Sequence, residues 1–170
     1  MAKSLPGAAF PKRGHDHRFC IADALDAAER TCRERQLRFT PIRRRVLEIV
    51  WSGHGPTGAY EILHALRHER RAAAPPTVYR ALDFLVENGF VHKIESLNAF
   101  VGCGHPGGEA GHDHAGQFLI CGNCRQVGEL DDPEIAEIIA RKAAGAGFSA
   151  VRQTIEIEGL CRHCAETADA

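Results

Sequence analysis

Apolar residues recur at helical spacing through the first half of the chain. Ile21, Leu25, Ala28 and Cys32 fall at i, i+4, i+7 and i+11, which is one face of a helix of about four turns. Ile42, Val46, Ile49 and Val50 form the next stripe. Thr40 is placed to cap it and Pro41 occupies its first helical position; Gly53 and Gly55 end it. Thr57 is expected to cap a third helix, with Ala59, Ile62, Leu63 and Leu66 inward. Pro75 and Pro76 block helix continuation, so Thr77 is expected to cap a new helix. This fourth helix, residues 77–88, presents Val78, Ala81, Leu82 and Leu85 to the core and stops at Asn88-Gly89, a left-handed C-terminal signal. Phe90 to Glu95, a turn at Ser96-Leu97-Asn98, and Ala99 to Val101 then read as a β-hairpin. Helices followed by a hairpin predict a winged helix-turn-helix, with residues 77–88 entering the DNA major groove.

The pattern changes after a Gly- and His-rich stretch at 102–117. Phe118-Leu119-Ile120 and Val127 to Leu130 predict two strands. Asp132-Pro133 starts a helix with Ile135, Ile138 and Ile139 expected inward, ending near Gly145. Val151, Gln153, Ile155 and Ile157 alternate with Arg152, Thr154, Glu156 and Glu158, the signature of a two-faced strand. An α/β unit of about 55 residues has a marginal core alone. It needs a staple or a partner subunit.

Composition adds little until it is divided. The 170 residues carry 21 Lys+Arg and 22 Asp+Glu, a net charge of −1. Residues 1–98 hold 16 basic and 11 acidic side chains, a balance of +5; residues 99–170 hold 5 and 11, a balance of −6. A basic half suits a polyanion, and the acidic half has another task. No apolar run approaches the roughly 20 residues of a membrane span. The first 20 residues lack the apolar core of a secretory signal, so the expected compartment is the cytoplasm. There, seven cysteines and ten histidines favour metal binding over disulfides.

Cys121-x-x-Cys124 and Cys161-x-x-Cys164 carry the sharpest chemistry. Each two-residue gap lets a pair of thiolates reach one tetrahedral ion, and two such knuckles close a four-cysteine zinc site. The 36 residues between Cys124 and Cys161 hold the helix and strand above, so the metal would pin the beginning of the unit to its end. A looser set comprises His92, Cys103, His105, His112, Asp113, His114 and Glu129. Ligands drawn from two domains suit a metal-triggered switch. Tyr60 and Arg80 are the candidate DNA contacts, since Arg reads guanine bidentately. Arg43, Arg44, Arg45, Arg67, Arg70 and Arg71 are placed to meet phosphates. No His-Glu-x-x-His or His-x-Glu deaminase motif occurs, and a closed four-cysteine site leaves no position for a catalytic water. A thiol oxidoreductase is therefore the remote alternative, and no enzyme is expected.

Phe39-Thr40-Pro41-x-Arg43, the run Pro75 to Leu85, Gly89-Phe90-Val91-His92-Lys93 and the two cysteine knuckles together resemble the ferric uptake regulator family, and its zinc-sensing members most. The likeness runs from about residue 21 to 165. It implies an α+β protein: an N-terminal winged helix-turn-helix domain, then a small α/β dimerisation domain with a four-cysteine zinc site. The implied divisions are a flexible tail at 1–18, a DNA-binding domain at 19–101, a metal-binding hinge loop at 102–117 and the dimerisation domain at 118–170. The resemblance assigns structural zinc to Cys121, Cys124, Cys161 and Cys164, and regulatory zinc to His92, Cys103, His114 and Glu129. That makes at least two Zn²⁺ per chain. It assigns base contacts to Tyr60 and Arg80, and Thr77 and Arg43 join them as DNA-binding residues. His105 and His112 are extra candidates for a further metal site. The implied protein is a homodimeric repressor of zinc-uptake genes on a palindromic operator in double-stranded DNA, with no membrane association. A soft thiolate at Cys103 suits zinc; iron, manganese or peroxide sensing is the alternative within the family.

Overall fold

The computed structural model describes Phe10 and residues 17–53, 55–69, 74–104, 116–130 and 132–168. The chain divides into two units, Asp16–Asp113 and a second made of Met1–His15 with His114–Ala170.

In the first unit the periodic stripes become helices α1 (His17–Glu34), α2 (Pro41–Ser52), α3 (Ala59–Glu69) and α4 (Pro75–Glu87). The Thr40 hydroxyl accepts from the Arg43 N–H at 3.4 Å and so caps α2 ahead of Pro41. At the far end of α4, Gly89 takes φ +69°. Phe90 N–H then donates to the Leu85 carbonyl at 2.9 Å and Gly89 N–H to that of Val86 at 3.1 Å. These are the two bonds of a Schellman closure, which glycine permits without steric cost. The chain reverses into β2 (Val91–Ile94) and β3 (Ala99–Gly102), an antiparallel wing with His92 opposite Val101. Val46, Leu47, Ile62, Leu66, Val78, Leu82, Leu85 and Phe90 fill the core between the helices and the wing.

Two helix starts differ from expectation. Thr57 does not cap α3. It lies in a short strand, β1 (Thr57–Gly58), paired with Phe100 of β3, so the wing sheet has three strands in the order β1-β3-β2. The start of α3 is satisfied from inside, where the Glu61 carboxylate accepts from Gly58 N–H at 2.7 Å. Thr77 does not cap α4 either. The helix begins at Pro75, after an N-cap Ala74 with no side-chain bond. Two prolines open the helix because their fixed φ is helical and the N–H groups they lack would have had no partner in the first turn.

The second unit contains β4 (Gly116–Cys121), β5 (Val127–Leu130), α5 (Pro133–Gly145), β6 (Thr154–Gly159) and α6 (Arg162–Ala168). Its sheet has the order β5-β4-β6; β4 runs antiparallel to β5 and parallel to β6. The parallel pair needs a crossover, which α5 supplies. The Asp132 carboxylate caps α5 by accepting from Glu134 N–H at 2.9 Å. The buried Gln117 amide donates to the Asp132 carbonyl at 2.7 Å, tying β4 to that cap. Phe118 and Ile120 are buried on β4.

The inward placement of Ile135, Ile138 and Ile139 is corrected by the structure. No residue of α5 is buried, and Ile138 and Ile139 are 40% and 39% exposed. Val151, 95% exposed, lies outside β6, which starts at Thr154. Among the described residues no helix is long and apolar enough to cross a membrane.

Candidate metal centres and DNA-reading surface

The β4–β6 register assembles the four-cysteine centre. Cys121 ends β4 opposite Gly159 of β6, so the chain leaving β6 delivers Cys161 and Cys164 beside the first knuckle. Gly122 N–H donates to the Gly159 carbonyl at 2.9 Å and locks this arrangement. The first knuckle turns back through Arg125, at φ +57°, whose N–H donates to the Cys121 carbonyl at 2.9 Å. All four sulfurs lie within 4.8 Å of one another. Cys124 Sγ and Cys161 Sγ are 3.8 Å apart, and none of the seven cysteines is in a disulfide. Sulfurs at about 2.3 Å from a tetrahedral zinc stand about 3.8 Å from one another. The donor set and its spacing therefore fit zinc.

Cys161 N–H donates to Cys121 Sγ at 3.4 Å. That bond, with the Cys124 N–H, pulls the Cys121 thiol down to about 6, whereas burial pushes the Cys164 thiol up to about 12. A bound metal ion would supply the positive charge that lets all four act as thiolates. Phe10, half-buried, packs against the cluster.

In the first unit His92 stands half-buried on β2, and Cys103 lies fully buried one residue beyond β3. A His92 ring nitrogen and Cys103 Sγ come within 4.8 Å of one another, and Cys103 N–H donates to the Phe90 carbonyl at 3.1 Å. Glu129 belongs to the second unit, half-buried on β5 opposite Phe118. His105, His112 and His114 lie outside the described residues.

Tyr60, the second residue of α3, is 78% exposed. Thr77 and Arg80 are exposed on α4. Because α4 starts at Pro75, Arg80 stands in its second turn, not its first. Tyr79, beside it, is also exposed.

The arginine run on α2 has partners within the fold. The Arg43 guanidinium sits 3.5 Å above the Phe84 ring and donates to the Arg38 carbonyl. Arg44 pairs with Glu29 and Glu48, and Arg45 with Glu48 and Glu69. Arg70 and Arg71 lie outside the described residues.

The model of the ferric uptake regulator family matches residues 34–158. The zinc uptake regulation protein of Escherichia coli (strain K12) is 42% identical over 144 residues, which are 85% of this chain and 82% of that protein. A zinc uptake regulator solved with zinc and DNA superposes with a TM-score of 0.82 at 39% identity, covering 88% of this chain and 98% of its own. A second solved structure, holo XcZur, gives 0.77 at 46% identity, covering 89% and 99%.

Proposed function

Since the chain belongs to the ferric uptake regulator family, we propose that it is a zinc-responsive, DNA-binding transcriptional repressor that controls zinc-uptake genes in the cytoplasm. Cys121, Cys124, Cys161 and Cys164 hold one zinc, which staples a unit with little apolar core. His92, Cys103, His114 and Glu129 hold a second, which makes two per chain. Bound there, zinc supplies a charge that fixes its ligands in one geometry. Ligands contributed by both units bind together only when the units are correctly oriented, so occupancy and DNA-competent geometry are linked. His105 and His112 supply a further, weaker site. In this reading the chain acts by binding and not by catalysis.

The observation that carries the metal assignment is the buried Cys103 thiol within 4.8 Å of a His92 nitrogen. A thiolate with an imidazole is a softer donor set than the nitrogen and oxygen ligands that suit manganese. Homodimerisation is supported by the apolar side chains left exposed in the second unit: Ile138, Ile139, Phe148, Val151, Ile157 and Leu160. A two-fold dimer presents two copies of α4 and reads a palindrome. In each copy Arg80 and Thr77 face the bases, Tyr60 approaches from α3, and Arg43, whose guanidinium lies over Phe84 of α4, joins them as a DNA-binding residue. Operator binding measured with zinc, iron(II) and manganese(II) in turn tests the assignment. With the four-cysteine site kept loaded and only the sensing site emptied, zinc should restore tight binding at the lowest concentration of the three. Restoration by iron or manganese at equal or lower concentration would overturn it.

A further inference from the structure

Trp51, the chain's one tryptophan, lies in the last turn of α2 and lays its indole against Gly102, the final residue of β3. A Cβ built on Gly102 would stand 2.2 Å from Trp51 Cε2, 2.4 Å from Nε1 and 2.7 Å from Cδ2. No side chain fits between them, so the ring touches bare backbone. The indole Nε1 is buried with no hydrogen-bond partner, a burial that tryptophan usually avoids. The contact is therefore kept at a cost to the indole.

The next residue is Cys103. Its own N–H is held by the Phe90 carbonyl at 3.1 Å. The Phe90 ring in turn packs on Phe84 of α4, with centroids 6.5 Å apart, and on Phe39, at 6.4 Å. The strand end that bears the thiol is gripped from α2 through Trp51 and linked toward α4 through Phe90.

We propose that Trp51 is a positioning residue for the sensing thiolate. Its contact with Gly102 fixes the backbone of Cys103 against α2, so that the metal ligand and the helix-turn-helix move as one body. This rests on Cys103 being a ligand of the regulatory zinc. It assigns to Trp51 no contact with metal or DNA. Without the indole, Cys103 can still meet zinc, but the position of its strand end no longer constrains α2.

The test uses the full chain with its four-cysteine site loaded. Operator affinity is measured with and without zinc in the sensing site for the wild type, Trp51→Ala, Trp51→Phe and Gly102→Ala. The wild type should gain about 5–150-fold on zinc binding, the usual range for coupled sites. Trp51→Ala should drop below about 5-fold while its zinc-free operator affinity stays within error of the wild type. Trp51→Phe, which keeps a flat ring, should recover most of the gain. Gly102→Ala, which drives the ring off the strand, should behave like Trp51→Ala. Since tryptophan emission, excited selectively at the red edge, comes from Trp51 alone, zinc entering the sensing site should shift it, and Cys103→Ser should abolish the shift.

A Trp51→Ala protein with the full zinc-dependent gain would overturn the proposal. So would equal losses of operator affinity with and without zinc, the mark of a merely structural role. Should Trp51→Ala fail to fold, the wild-type emission decides: no change on filling the sensing site overturns the proposal. A wild type with no zinc-dependent gain at all would instead overturn the zinc-sensing reading on which it rests.

Discussion

Replacing Cys161 with serine should unfold the second unit and leave the first standing. The two units differ in what holds them. The first buries apolar side chains from four helices and the wing. In the second, the apolar side chains buried among the described residues, cysteines aside, are Phe118 and Ile120. Full burial of such side chains contributes about 1.5–3 kcal/mol each, so the pair supplies about 3–6 kcal/mol. A structural zinc contributes about 10–16 kcal/mol at neutral pH. Within the single chain the metal term therefore exceeds what these two side chains supply by roughly 1.7-fold or more, and losing one of four thiolates removes most of it. Zinc content should fall by one ion per chain. Hydrogen exchange should show amides of α2 and α4 still protected, while those of β4 and β6 exchange as in an unfolded chain. A Cys161→Ser protein that kept its full zinc content and its β4–β6 protection would refute this reasoning.

Single contacts carry further consequences. Arg80→Ala should cost roughly 1–3 kcal/mol of operator affinity and relax discrimination at one base pair, read by binding to single-site operator variants; uniform weakening on every sequence would make Arg80 a phosphate contact instead. Thr40→Ala removes the acceptor for Arg43 N–H and should destabilise the first unit by about 1 kcal/mol in denaturant unfolding. Aspartate at both Ile138 and Ile139 should shift the protein from dimer to monomer in sedimentation, because both side chains are exposed in the single chain. A dimer of unchanged affinity would place the interface elsewhere.

Much of the fold was legible in the sequence wherever a local rule decides the local structure. Thr40-Pro41 caps a helix, Asn88-Gly89 closes one, and paired cysteine knuckles converge wherever the chain can bring them together. The errors came where tertiary contacts decided. Thr57 forms ladder bonds with Phe100, forty-three residues away in the chain, and no local pattern shows that pairing. Pro75-Pro76 looked like an interruption because prolines end helices more visibly than they begin them. Helical periodicity marked Ile138 and Ile139 as apolar, but periodicity does not say whether the same chain covers that face. The partners of the arginine run are likewise invisible in the sequence: Arg43 lies on Phe84, and Arg44 and Arg45 pair with carboxylates brought in by α1 and α3. The contact of Trp51 with Gly102 joins positions far apart in sequence and is visible only in the folded chain.

The central claim is that zinc in the sensing site and operator DNA bind cooperatively, and reciprocity gives its most direct measurement. Operator affinity is determined with the sensing site empty and filled, and zinc affinity is determined with and without operator, for the wild type and Cys103→Ser. The account predicts that zinc tightens operator binding by about 5–150-fold, that operator tightens zinc binding by the same factor, and that Cys103→Ser abolishes both effects while the four-cysteine site keeps its metal. Equal operator affinity with the sensing site empty and filled would contradict it.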